Sequence, residues 1–512
     1  NNSAVTTLQS AVTDLKGGQA SLATTISDET SKLKKEIGSP DVLHYKGITL
    51  SPAGSFIAGE TVDRTAATGG GLNTAFTGVP LQYADAAQMS EFQGTGRQSR
   101  LAIKATGKLP YMTMTGYYEM DWLGTGITSN NNQSNSYVLR QRQLWADAKL
   151  TSGWDFSGGQ GWSLAAETTK GLTRGTEILP ASIDPQYVAG FVWTRQYSFR
   201  VSKDFGKSVF AGISAENAET LNPAGTIAFN SGITVLLGSG GTGGGLYNST
   251  ANYSFNKTPD FVAKVAVEPG WGHWELFGIG RSFTDRIYQS VTGVLPTATN
   301  STVWGGGVGG GFRGPLLDKK VTIGLKGLWG AGVGRYGSST IADVTIKPTG
   351  VIAPLHGFSA LSTVELNPNK RLNVYMNYGG DYINRDILST TANVGYGNPL
   401  ATMTGCNNEV AASTTYSNSG TGFGNAGTPA NCGGNTKDVQ ETTVGYWYNI
   451  YSGPMGRLRQ GLQYSYIERN LWSGVGSATY NFATGVPGTP NPGGGAKGTD
   501  NMIFTSFRYY LP

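Results

Sequence analysis

The sequence predicts an all-β protein, a 16-stranded antiparallel transmembrane β-barrel preceded by a short N-terminal α-helical coiled-coil segment. Three observations predict it. Apolar and polar side chains alternate with period two, in runs of roughly 9–13 residues, from Lys46 to Pro512. The connections between those runs are alternately short and long. Residues 1–38 differ from everything after them, lacking Trp, Phe, Tyr and Pro and holding most of the heptad periodicity.

Composition narrows the function classes. Only 14% of the 512 residues are charged, against roughly 25% in an average soluble protein. Gly (76 residues) and small polar residues fill the gap, and 11% aromatics argue against a solvated, disordered chain. No run of 18 or more apolar residues occurs, so no transmembrane helix is expected. The net charge of +5 is too dispersed for a nucleic-acid surface. His44, His273 and His356 lie far apart, without HExxH or CxxC spacing, which leaves no expected metal site and no cofactor. Gly305–Gly311 has glycine spacings like those of a dinucleotide loop, but no helix follows. A Gly-rich barrel strand more often marks close packing, here between barrels. Glu119 and Asp121 would suit acid–base chemistry only with a nucleophile or His nearby, so no enzyme is expected. The first residue, Asn1, suggests a removed signal peptide.

The first element is the helix at 1–38. With Val5 at position a, the a series reads Val5, Val12, Gln19, Ile26, Leu33, and the d series Leu8, Leu15, Leu22, Glu29, Glu36. The stripe Val5, Leu8, Val12, Leu15, Leu22, Ile26 needs burial against another helix, in an oligomer or on its own domain. Gly17 and Gly18 weaken the helix by roughly 1 kcal/mol each relative to Ala. Gly38-Ser39-Pro40 ends it, residues 39–46 read as a linker, and 47–512 as the barrel.

Strands follow in order. Leu101, Ile103 and Ala105 alternate with Arg100, Ala102, Lys104 and Thr106; Leu372, Val374, Met376 and Tyr378 alternate with Asn373, Tyr375 and Asn377. Short turns are expected at Gly107–Pro110, Ser152–Gly161, Asp204–Lys207, Pro269–Gly272, Gly314–Lys320, Asn367–Lys370 and Ser452–Gly456. Long loops are expected near Arg64–Gly96, Gly124–Ser136, Gly171–Val188, Glu219–Asn252, Ile287–Ser301, Gly337–Pro354, Asp386–Lys437 and Ser473–Thr499. An even strand count brings both chain ends to the short-turn rim, as in outer-membrane barrels, and closure leaves no unpaired edge in lipid. Aromatic girdles are expected from Tyr118, Trp122, Trp193, Tyr382 and Tyr466 at one boundary and Phe205, Trp274, Tyr509 and Tyr510 at the other.

A barrel this wide encloses an aqueous channel. The polar face supplies the candidate pore-lining residues Arg100, Lys104, Glu119, Asp121, Arg140, Arg142, Arg200, Asp381, Arg459 and Arg508. Arg140 and Arg142 share one face about 7 Å apart, and guanidinium forks suit small anions. The competing reading is that cations and anions pair to hold the wall. In Arg140–Leu150 the arginines demand one phase and Asp147 and Lys149 the other, which a β-bulge near Gln143 would reconcile. The phase of His273–Arg281 is ambiguous, because Glu275 and Phe277 would share a face. Cys406 and Cys432 sit in a Gly/Asn/Ser/Thr-rich stretch and read as a disulfide in an oxidising compartment, with two free thiols the alternative.

A coiled-coil segment, a linker and a 16-stranded barrel together resemble the trimeric outer-membrane porins, most similarly the DcaP-type porins with an N-terminal periplasmic coiled coil. The resemblance implies a homotrimer in the Gram-negative outer membrane, bathed in membrane lipid, with its helix in the periplasm. It implies passive diffusion of small hydrophilic solutes, often small organic anions. One departure is the C-terminus, Tyr509-Tyr510-Leu511-Pro512, where such barrels usually end in an aromatic residue. The alternative class is a surface adhesin or structural barrel closed by its long loops.

Overall fold

The computed structural model describes residues 2–38, 43–68, 71–124, 137–221, 223–237, 254–290, 293, 295–403, 405–406, 432–475, 480–481, 486–487 and 495–512. Residues Asn2–Gly38 form one helix, α1, which Gly17 and Gly18 do not interrupt. Thr6, Thr13 and Thr24 turn their hydroxyls back onto the carbonyl four residues earlier, satisfying them within the helix. The stripe from Val5 to Ile26 is between 47% and 68% exposed. Residues 39–42 of the expected linker lie outside the described residues; Leu43–Tyr45 forms a short hairpin arm against Ile48–Ser51.

The barrel is closed and antiparallel, with sixteen strands. Strand β1 runs in two pieces, Ile48–Ser51 and Phe56–Arg64, and β2 in two, Glu91–Thr95 and Arg100–Leu109. The others are β3 (Met112–Gly124), β4 (Val138–Leu150), β5 (Trp154–Trp162), β6 (Arg195–Phe205), β7 (Val209–Glu216), β8 (Asp260–Val267), β9 (His273–Gln289) and β10 (Thr297–Leu316). They continue with β11 (Val321–Ala331), β12 (His356–Leu366), β13 (Leu372–Ile383), β14 (Thr436–Gly453), β15 (Gly456–Leu471) and β16 (Lys497–Tyr510). β16 closes on β1, from Tyr510↔Phe56 to Met502↔Arg64. Each strand exists because its alternation buries one face and leaves the other for hydrocarbon: Phe199 (72% exposed), Leu276 (68%) and Val308 (59%) face out.

Two local expectations are corrected. The Ser152–Gly161 turn is much tighter, because Trp154–Trp162 is itself a strand; the following loop therefore begins at 163 rather than 171. Trp193 is no girdle residue. It lies on that loop inside the barrel, with its ring 5.4 Å from Trp162 and its indole N–H donating to Ser338 at 2.9 Å. On its inner side the Gly305–Gly311 stretch packs closely against the lumen: a Cβ on Gly309 would stand 2.2 Å from the Phe277 ring, and one on Gly305 2.8 Å from Phe283.

Two ambiguities are resolved. Glu119 pairs with Gln143 and Met120 with Gln141, leaving Arg142 as the extra residue of a bulge beside the expected position. That bulge shifts the phase, so Arg142, Gln143, Trp145 and Asp147 are all buried on the inner side while Leu144 faces out. In β9, Glu275 and Phe277 do share the inner face, with Trp274 and Leu276 outside.

The long loops number eight, L1 to L8, and several fold inward. The main apolar cluster joins Leu72, Phe76 and Val79 of L1 (65–90), Ile183 and Ala189 of L3 (163–194), and Ile341 and Leu355 of L6 (332–355) to wall residues such as Tyr375, Trp447 and Phe504. Most of L2 (125–137), much of L4 (217–259) and residues 407–431 of L7 (384–435) lie outside the described residues.

Candidate functional site

L3 leaves the wall at β5 and crosses the lumen. Its apolar residues Leu164, Leu172, Ile183, Val188 and Phe191 are all at most 3% exposed, so hydrophobic burial drives the loop inward. Polar contacts then fix its path. Near its root, the N–H of Thr168 donates to Glu275 (2.9 Å), and Lys264 donates to the carbonyl of Ala166 (2.7 Å). On the far side, the N–H groups of Ala189 and Gly190 donate to Glu441 (2.8 Å) and Asp381 (3.1 Å), and Arg508 donates to the carbonyl of Ile183.

Between L3 and the wall of β1–β5 lies a chamber of about 460 Å³. Arg100, Lys104, Tyr117, Glu119, Trp145, Asp147 and Trp162 line it from the wall, and Arg174 and Glu177 from L3. Toward the long-loop rim lies a second, much smaller space, a throat of about 10 Å³, room for about one water molecule. Gln98, Asp121, Leu123 and Arg142 face Asp184, Gln186 and Tyr187 across the throat, and Arg100 borders both spaces.

The charges here are unevenly committed. Arg140 clasps Asp121 with two bonds (3.0 and 2.8 Å), and Arg142 bridges Glu119 (2.5 Å) and Asp121 (2.9 Å). Tyr117 donates to the other Glu119 oxygen at 2.8 Å. The two wall carboxylates are thus neutralised in place, while Arg100 and Lys104 have no ion pair among the described residues. On L3, burial and the neighbouring Arg200 lower Arg174 to about 10, which still leaves it charged at neutral pH. Burial, reinforced by Glu441, raises Asp184 well above the ordinary carboxylate range.

The ten candidate pore-lining residues therefore divide. Arg100, Lys104, Glu119, Asp121 and Arg142 border the chamber or throat, and Arg140 reinforces Asp121 from a half-exposed position. Three others are struts with no access to open water. Arg200 is 2% exposed and donates to the carbonyls of Leu172 and Trp162. Asp381 holds Gly190 and Ser339, and Arg508 is paired with Glu60 at 2.6 Å. Arg459 stacks on Trp447 at 3.6 Å, on the opposite wall. Sequence reading missed Trp162 at the end of β5, and Arg174, Glu177, Asp184 and Gln186 on L3, which line the chamber and throat. The available signal was the loop's content of Leu, Ile, Val and Phe, unusual for a segment expected to sit in water.

Cys406 and Cys432 form a disulfide with Cα atoms 4.7 Å apart; Cys406 packs with Leu81, Met403 and Leu471.

No family model and no curated protein matches the sequence. Among solved structures, the chain resembles the outer membrane channel DcaP of Acinetobacter baumannii, with a TM-score of 0.58 and 12% identity over 91% of this chain and 99% of that one. Looser matches include an anion-selective porin from Comamonas acidovorans (TM-score 0.41, 11% identity, 90% and 98% covered) and OprB of Pseudomonas putida (0.42, 10%, 91% and 94%). This chain has the DcaP-like barrel fold.

Proposed function

We propose that the protein is an outer-membrane porin: small hydrophilic solutes diffuse passively along the passage between L3 and the β1–β5 wall, with small organic anions favoured. The observation that carries this is Arg100, a cation without an ion pair at the junction of chamber and throat, beside carboxylates already held by Arg140 and Arg142. Arg100 and Arg142 border the throat with Asp121, Arg140 and Glu119 join them through the ion pairs behind it, and burial favours the protonated Asp184. A narrow, low-dielectric passage focuses the field of that excess positive charge. Passage needs weak, repeated contacts, and an exposed guanidinium–carboxylate contact supplies only about 0–1 kcal/mol. In this reading the long loops face outward and α1 emerges on the periplasmic side, where its exposed stripe assembles with two copies into a homotrimer.

Planar-bilayer recording under a salt gradient tests it. The wild type is expected to conduct with an anion-favouring reversal potential, and R100A with K104A to shift it toward cations. A cation-selective wild type would overturn the selectivity. The narrow throat favours one second reading, a surface adhesin barrel closed by its loops. Complete absence of conductance would favour that reading over the porin.

A further inference from the structure

The outer wall carries a groove unrelated to the lumen. Across β12 and β13, Phe358 pairs with Tyr382, Ala360 with Gly380, and Ser362 with Tyr378. The middle pair carries nothing beyond one methyl group, while the flanking pairs carry aromatic rings, and the result is a depression of about 440 Å³. That lies within the ~300–1,000 Å³ typical of ligand sites. Phe358 and Tyr378 are 46% and 52% exposed on the barrel's outside, and the Phe358 and Tyr382 rings stack at 5.2 Å.

At the end nearer the long loops the groove meets cations. The Lys437 ammonium lies 6.0 Å from the Tyr382 ring centre and 5.6 Å from that of Trp472, and Arg385 stacks on the same indole at 4.5 Å. Asp438 pairs with Lys437 at 3.4 Å. Lys437 nonetheless keeps 38% of its side chain exposed.

We infer that this groove binds an anionic glycolipid of the outer leaflet, one acyl chain lying over Ala360 and Gly380 and a headgroup phosphate meeting Lys437. The wall on which it sits must contact hydrocarbon in any membrane barrel, so the groove is continuous with the lipid face. Three rings around an acyl chain offer more dispersion contact than a flat wall. The cation stands at the end where a headgroup would lie. The outer-leaflet assignment rests on the proposal that the long loops face outward.

The test is native mass spectrometry of the full-length protein in nonionic detergent, titrated with bisphosphorylated, hexa-acylated lipid A. The wild type is expected to hold lipid A at the groove, A360W to weaken it by about tenfold, and K437A by a few-fold. Dephosphorylated lipid A should bind wild type and K437A alike. A ring added elsewhere on the lipid face, V308W, should change nothing. Unchanged conductance and thermal stability in A360W show that the barrel is intact. Equal binding of lipid A by wild type and A360W, or equal competition by phosphatidylglycerol, would overturn the inference. So would loss of subunit association in A360W with no lipid A on the wild type, since the groove would then seat a second copy of the chain. Failure of the porin reading shows separately, as an absence of wild-type conductance.

Discussion

The backbone N–H of Ala189 in L3 donates to the Glu441 carboxylate of β14 at 2.8 Å, across 252 residues of sequence and the width of the lumen. Beside it the N–H of Gly190 donates to Asp381. Two wall carboxylates thus hold the far side of a loop whose root is fixed by Glu275 and Lys264. L3 is thus fastened on both sides of the barrel, and the chamber of the proposed passage lies between it and the β1–β5 wall.

Removing both anchors should loosen the loop without dissolving the barrel. In D381A/E441A the N–H groups of Ala189 and Gly190 lose their acceptors, and each orphaned group costs about 1–3 kcal/mol. Thermal unfolding in detergent should begin lower, and single-channel records should be noisier. Quiet records at unchanged Tm would show that apolar burial alone holds L3.

Arg142 neutralises Glu119 and Asp121 together. R142A leaves both carboxylates undercompensated beside the throat, and breaking such a buried pairing costs about 3–5 kcal/mol. Reversal potential should move toward cations, and E119Q in the same background should move it back. An R142A channel with wild-type selectivity would mean that solutes do not pass this wall.

Asp184 sets a pH dependence. Burial first and Glu441 second raise its carboxyl well above the ordinary aspartate range in the folded state. A raised pKa means that the folded state binds the proton more tightly, so this contribution to stability is full below the unfolded pKa and is lost as pH rises through the folded one. L3 should therefore be held more firmly in acid and loosen toward alkaline pH, seen as falling Tm. D184N, permanently neutral, should flatten that part of the profile; an unchanged slope would assign it to other groups.

The Cys406–Cys432 bridge spans a sequence separation of 26. On the entropic model a loop of that size contributes about 3 kcal/mol. C406S/C432S should unfold earlier under denaturant yet keep its conductance, because the bridge lies on L7, away from the L3 passage. Loss of conductance would tie L7 to the pore.

In the proposed homotrimer, deleting residues 1–38 removes the exposed stripe Val5, Leu8, Val12, Leu15, Leu22, Ile26 that the copies would bury against one another, and should lower the temperature of dissociation in detergent. L15D alone should reproduce much of the effect. Unchanged dissociation in both would leave α1 without an energetic part in assembly.

The legible part of this protein is what local chemistry controls. Alternation with period two is a property of each strand alone, so strand number, the inner and outer faces and the alternating connections can be read residue by residue. Even the bulge was visible, because Arg142 and Asp147 cannot both face water on an unbroken strand. The Cys pair and the heptad stripe are equally local. What only the tertiary structure decided is which polar residues still see water. Arg100 and Arg200 look alike in sequence, each inward on its strand, yet one borders the passage and the other is buried beneath L3 at 2% exposure. That difference depends on where a loop packs after crossing the barrel, and its partners, Glu441 for Ala189 and Arg508 for Ile183, stand hundreds of residues away. Hydrophobic burial is non-directional, so composition says that L3 must go inside, and only the closed barrel says against which wall.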